Sequence, residues 1–156
     1  MNKKIFLSTI LILLAGCGFT PMLKNFDLSK LNVQKINYSG KNDLSYLIKT
    51  YLNIQETKSS QGMTVNISVS ETISSPTKNS AGITTEEDLT INIGLNVLDG
   101  KDKIIISDSF TSSIRLTVTN NLSSDEETRR IERRNLIQNL SQKIKFKLQL
   151  IAKQNQ

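Results

Sequence analysis

Alternation of apolar and polar side chains dominates the middle of the chain. Met63, Val65, Ile67 and Val69 alternate with Thr64, Asn66, Ser68 and Ser70, while Leu89, Ile91, Ile93, Leu95 and Val97 alternate with Thr90, Asn92, Gly94 and Asn96. A period of two sends successive side chains to opposite faces, so each stretch predicts a strand with one buried and one polar face. Asp99-Gly100 is a hairpin-turn pair. Beyond it Ile104, Ile106, Phe110, Ile114, Leu116 and Val118 again fall on every second position. Asp108 and Ser112 interrupt that series and predict a bulge or a strand running past the core. Between the first two strands, Ser74 to Asp88 holds Pro76, Gly82 and the acidic run Glu86-Glu87-Asp88, and reads as a long hairpin tip with frayed strand ends.

On either side of this meander the period becomes helical. Leu44, Leu47, Ile48 and Tyr51 fall at i, i+3, i+4 and i+7, the stripe of an amphipathic helix that faces a core. A strand from Leu31 to Tyr38 precedes it, with Val33 and Ile36 breaking clean alternation, then a turn at Ser39-Gly40-Lys41-Asn42 with Asn42 as the helix N-cap. After the meander, Ser124-Asp125-Glu126-Glu127 reads as a capping box, serine at the N-cap and glutamate at N3. Ile137, Leu140, Ile144, Leu148 and Ile151 then continue one buried stripe, and Lys143, Lys145, Lys147 and Lys153 suit the negative end of that helix. Sheets with one apolar face need helices on that face. The expected class is α+β: two helices packed on one face of a four-stranded, mostly antiparallel sheet, in the order β-α-β-β-β-α.

The first residues follow a different logic. Lys3 and Lys4 precede the apolar run Ile5 to Leu14, broken only by Ser8 and Thr9, and Ala15-Gly16 then precede Cys17, the single cysteine. This is the layout of a secretory signal with a small-residue cleavage site. The run is about half the ~20 apolar residues that a membrane-spanning helix needs. Leu14-Ala15-Gly16-Cys17 resembles the bacterial lipobox. By that resemblance cleavage falls between Gly16 and Cys17, whose thiol carries a diacylglycerol. The expected division is residues 1–16 as lipoprotein signal peptide, 17–30 as lipidated N-terminus and tether, and 31–156 as one α/β domain. One acyl chain anchors only marginally, at ~0.8 kcal/mol per buried methylene, whereas two or more hold stably.

Composition narrows the chemistry. Histidine is absent and the only cysteine is Cys17. No disulfide framework, zinc site or cofactor is therefore expected, and the usual pairing of a nucleophile with histidine is unavailable. No motif supports carboxylate or lysine catalysis, so the expectation is a protein that is not an enzyme. Lys3 and Lys4 account for two of the net +6 charges, which leaves +4 after the signal. That excess is modest in a chain rich in Ile, Lys and Asn, and an exported lipoprotein would not meet nucleic acid.

Directly after the lipobox, Cys17-Gly18-Phe19-Thr20-Pro21-Met22-Leu23 is similar to the start of mature proteins of the LptE family, the lipopolysaccharide-assembly lipoproteins, in their α-proteobacterial versions. The long C-terminal helix and the element order are similar too. The resemblance implies a plug seated in a large outer-membrane β-barrel, LptD, that helps the barrel assemble and binds lipopolysaccharide on its way to the outer leaflet. It also implies a lipid anchor of several chains on the periplasmic side of the outer membrane, since Gly18 stands where an aspartate would favour inner-membrane retention. The alternatives are a periplasm-facing lipid carrier and an adaptor of another outer-membrane complex.

Seven cations are candidate contacts for lipopolysaccharide or a partner. At ~100° per residue, Arg129 and Arg133 share the side of Ile137, Leu140 and Ile144, so the buried stripe turns basic in the first turns of the helix. Either the helix overshoots the sheet there, its arginines solvated or snorkelling over the edge, or Arg129, Arg130, Arg133 and Arg134 meet an acidic partner or lipid phosphates through bidentate contacts. Lys101, Lys103 and Arg115, on the hairpin and last strand, form a second candidate patch.

Overall fold

The computed structural model describes residue 28, residues 31–57 and residues 62–154. The signal segment, the Gly16–Cys17 cleavage and lipidation site and nearly all of the tether lie outside the described residues. Within them, β1 (Val33–Gly40), α1 (Asn42–Leu52), β2 (Met63–Lys78), β3 (Thr84–Leu98), β4 (Ile104–Thr117) and α2 (Leu122–Gln154) follow in the expected order. The sheet order is β1-β2-β3-β4. β1 and β2 are parallel, joined by a crossover through α1, and the other pairs are antiparallel.

The alternation sets the core. Leu89, Ile91, Ile93, Leu95 and Val97 of β3 are fully buried, as are Ile137, Leu140, Ile144 and Leu148 of α2 and Leu44 and Ile48 of α1. Burial of each such side chain is worth about 1.5–3 kcal/mol. α1 packs on β1 and β2, α2 on β3 and β4, and the helices pack on each other. The inner face of the sheet is thus covered, along β4 only in part, and the outer face is bare.

Four boundaries differ from the sequence reading, each for a local reason. Gly40 ends β1 at φ +123°, and a Cβ there would lie 2.2 Å from the Val69 carbonyl oxygen, so the turn needs glycine. The helix cap is Lys41, without a side-chain cap bond, and Asn42 is already helical. Residues 74–88 are a continued ladder rather than a long tip. An irregularity between Ser74 and Thr77 accommodates Pro76, and pairing resumes at Thr77 with Glu86 and Lys78 with Thr84. β1 ends opposite Val69, so here β2 is an edge strand, where proline is tolerated. The actual tip is closed by Asn79, whose Oδ1 accepts from the N–H groups of Ala81 and Ile83 at 3.0 Å each.

α2 begins before the expected capping box. Asn121 Oδ1 accepts the Ser124 N–H at 3.2 Å, which makes Asn121 the cap and Ser124 the N3 residue. Asp125, 7% exposed, instead accepts the Thr119 N–H at 2.9 Å and the Thr119 hydroxyl at 2.7 Å. In β4 no register shift occurs at Asp108 or Ser112; the irregularity lies between Val97 and Leu98. The interrupted alternation marks a half-covered edge strand.

Candidate functional site

The first turns of α2 project Arg129 and Arg133 toward the inner face of the sheet, four residues apart. Each meets a carboxylate from a different strand. Arg129 Nε and Nη2 donate to Glu87 of β3 at 2.8 and 3.0 Å. Arg133 grips both carboxylate oxygens of Glu71 on β2, its Nη2 at 3.2 Å from Oε1. Glu126 bridges the two, 3.1 Å from Arg129 Nη1 and 3.9 Å from Arg133 Nη1. The side chains are largely buried: 17% exposed for Arg129, 15% for Arg133, 13% for Glu87 and 6% for Glu71. Hydrogen bonding to Glu87 and Glu71 holds both guanidinium groups more firmly protonated than free arginine, against the opposing effect of burial. The helix therefore does not overshoot the sheet. At about 1.5 Å per residue its 33 residues span roughly 50 Å, matching the long strands.

The other candidates sit elsewhere. Arg130 is exposed and paired with its helix neighbour Glu127 at 2.6 Å. Arg134 is exposed, with no ion pair among the described residues. Arg115 lies on the outer face, where Nε and Nη2 clasp Asp88 at 2.8 and 3.0 Å and hold that carboxyl below its ordinary range. Lys101 and Lys103 stand on the β3–β4 turn, their backbone N–H groups donating to Asp99 Oδ1 at 2.8 and 2.9 Å. Lys103 and Arg115 are at opposite ends of β4, about 40 Å apart by strand rise. The structure does not bring Lys101, Lys103 and Arg115 into one patch.

Glu71 and Glu87 are the residues the sequence reading passed over. Parity was the available signal. Glu71 continues the inward series Val65, Ile67, Val69, and Glu87 continues Leu89 and Ile91 backwards, so two inward acids face two inward arginines.

The outer face carries the broadest surface without a covering element. Asn66, Ser68, Ser70 and Thr72 of β2 pair in register with Asn96, Gly94, Asn92 and Thr90 of β3, and these with Ser107, Ser109, Thr111 and Ser113 of β4. None of these twelve is buried. Short side chains link across the strands: Asn37 Nδ2 donates to Asn66 Oδ1 at 2.7 Å, and Thr111 Oγ1 to Asn92 Oδ1 at 2.7 Å. At the centre a Cβ on Gly94 would fall 2.6 Å from Ser68 Oγ, so glycine leaves room for that hydroxyl. The result is a nearly uncharged field of donors and acceptors.

This fold has close counterparts among solved structures. Rare lipoprotein B from Shewanella oneidensis superposes with a TM-score of 0.58 at 11% identity, over 78% of this chain and 96% of that one. A Caulobacter crescentus chain described as a lipoprotein gives 0.60 at 12%, over 82% and 96%. The minor lipoprotein from Acinetobacter baumannii gives 0.53 at 16%, over 78% and 94%. The fold is shared with lipoproteins. At these identities the likeness is one of fold alone. No protein-family model matches the chain, and no curated protein sequence does. No described helix is long and apolar enough to cross a membrane, and no cluster of described acidic, histidine or cysteine side chains is arranged to hold a metal ion.

Proposed function

We propose that this protein is a lipid-anchored envelope component of the lipopolysaccharide transport machinery. It is held to the periplasmic side of the outer membrane through Cys17 and seated as a plug in an LptD-type β-barrel, which it helps to assemble. The bare outer face of the sheet carries this reading. The lumen of a membrane barrel is wet and polar, and a partner surface inside it has to satisfy many hydrogen bonds without burying unpaired charge. Twelve Ser, Thr, Asn and Gly positions in register offer that surface. The lipobox, the Cys17-Gly18-Phe19-Thr20-Pro21 start and the likeness in fold to lipoproteins support it.

Within this function the protein binds and assembles, without catalysis or a cofactor. Of the seven candidate cations, Arg115, Arg130, Arg134, Lys101 and Lys103 are exposed enough to meet lipopolysaccharide phosphates, Arg115 and Arg130 by exchanging their carboxylate partners Asp88 and Glu127. Arg129 and Arg133 are largely buried against Glu87 and Glu71 and act in the fold. Affinity purification of a C-terminally tagged chain from mild-detergent membranes, with mass spectrometry, tests the proposal. A large barrel protein in near-equal amount is expected; elution of the chain alone overturns it.

A further inference from the structure

The two edges of the sheet are finished differently. Along β1, the segment after α1 supplies partners: the Thr57 N–H donates to the Val33 carbonyl at 2.6 Å, and Glu56 Oε1 accepts the Ile36 N–H at 2.8 Å. No described segment lies along β4, whose one neighbour is β3 over fourteen residues. Its inner face is also half-covered. Ile106, Phe110 and Ile114 are partly exposed, although their β3 partners Val97, Ile93 and Leu89 are fully buried. Between β4 and α2 runs a groove of about 690 Å³ lined by Phe110, Ser112, Gln142, Phe146, Lys147 and Leu150. Phe146 and Leu150 are each 42% exposed above it.

Free edges invite a further strand and are usually blocked by lysine, proline or an inward charge. β4 holds no lysine or proline. Its inward charge, Asp108, is held by Lys147 at 2.9 Å. The strand is also self-complementary. Reading Ile106, Asp108, Phe110, Ser112 and Ile114 in either direction gives apolar, polar, aromatic, polar, apolar.

We propose that β4 pairs antiparallel with β4 of a second copy of this chain, about a two-fold axis at Phe110. That register sets Phe110 against its own counterpart, Ile106 against Ile114, Ile104 against Leu116, and Asp108 against Ser112, whose hydroxyl donates to it. On the outer face Ser109 meets Thr111, Ser107 meets Ser113, and Arg115 meets Ile105. Neighbouring registers fail on Asp108, which would face Ile114, Phe110, Leu116 or its own counterpart, and opposed like charges or a charge against an apolar side chain are unfavourable. The match is what an isologous interface requires. It continues the polar outer face into a second sheet, and on the inner side it brings Phe146 and Leu150 of each copy over the other's edge.

The test uses the full chain purified free of any barrel in mild detergent. Ser107→Cys and Ser113→Cys chains, mixed, should cross-link to a dimer, whereas neither cross-links with itself. The unsubstituted chain controls for Cys17. Phe110→Glu should raise the dimer dissociation constant about 30-fold or more, the scale of a central interface residue, while its circular dichroism stays that of the parent. A monomer at every concentration overturns the proposal. So does a dimer indifferent to Phe110→Glu, or self-cross-linking at Ser107. A monomer whose β4 amides are protected from hydrogen exchange also overturns it, assigning the edge to the chain's own N-terminal segment. The result is independent of the barrel purification, so either reading can fail alone.

Discussion

The two faces of the sheet are built from the same strands and obey opposite rules. On the inner face of β3 the alternate residues Leu89 to Val97 are locked by burial, and beyond them even the charges are consumed: Glu71 and Glu87 are gripped by Arg133 and Arg129. On the outer face the intervening residues are short, polar and linked only across strands, as Thr111 is to Asn92. The inner face therefore sets stability. The outer face, contributing little to it, is free to be shaped by a partner. The Arg–Glu pairs sharpen the point. A helix stripe can stay inward while its chemistry changes from apolar to ionic, provided each charge meets its counterpart in register.

Leu140→Ala should break the inner face most severely, costing about 2–5 kcal/mol in chemical denaturation, because it opens a cavity in a fully buried position. Arg133→Met should cost less, about 2–3 kcal/mol, below the 3–5 of a fully buried pair because some water reaches the arginine. Adding Glu71→Leu to that variant should recover much of the loss; a double variant as unstable as the single would show that the charge pair is not the cause. Removing the α2 cap by Asn121→Ala should cost about 1 kcal/mol. Gly94→Ala, on the outer face, should also cost about 1 kcal/mol at most, since the displaced Ser68 hydroxyl can rotate into solvent.

Acid should sharpen the same contrast. Asp125, lowered chiefly by the Thr119 N–H, and Asp88, lowered chiefly by the Arg115 guanidinium, both have folded pKa values below their unfolded ones. Each contribution is fully present above the unfolded value near about 3.9 and is lost as the pH falls through the lower folded value. Carboxyl NMR should show both midpoints below that of a model aspartate. Thr119→Val should move only Asp125 and Arg115→Met only Asp88. Midpoints at the ordinary value would contradict both hydrogen-bond assignments.

Most of the fold was legible because its two periods are clean. Alternation placed β2, β3 and β4, and the spacing of Ile137 to Ile151 placed α2 with its buried side correct. What was hidden lay where several local signals competed. Pro76, Gly82 and three consecutive acids suggested a loop, and the ladder through Thr77 and Glu86 depends on an irregularity that no local pattern announces. Ser124 and Asn121 are both good caps three residues apart, and the choice was made by Asp125 turning back to Thr119. The candidate site was less legible, because sequence nearness does not report distance: Lys103 stands on the turn before β4 and Arg115 near that strand's far end. The bare outer face was legible as well, because two helices expected on one face of the sheet leave the polar half of each alternation uncovered.

The most direct measurement is recovery of a barrel partner by a chain altered on the outer face alone. Ser70→Glu with Ser113→Glu places two charges among exposed positions of that face and should leave the melting temperature unchanged. Barrel co-purified with this variant should fall at least about tenfold relative to the parent, equivalent to ~1.4 kcal/mol or more. A stable double variant that still brings down the barrel in near-equal amount would contradict the account, because the face proposed to meet the lumen would then be elsewhere.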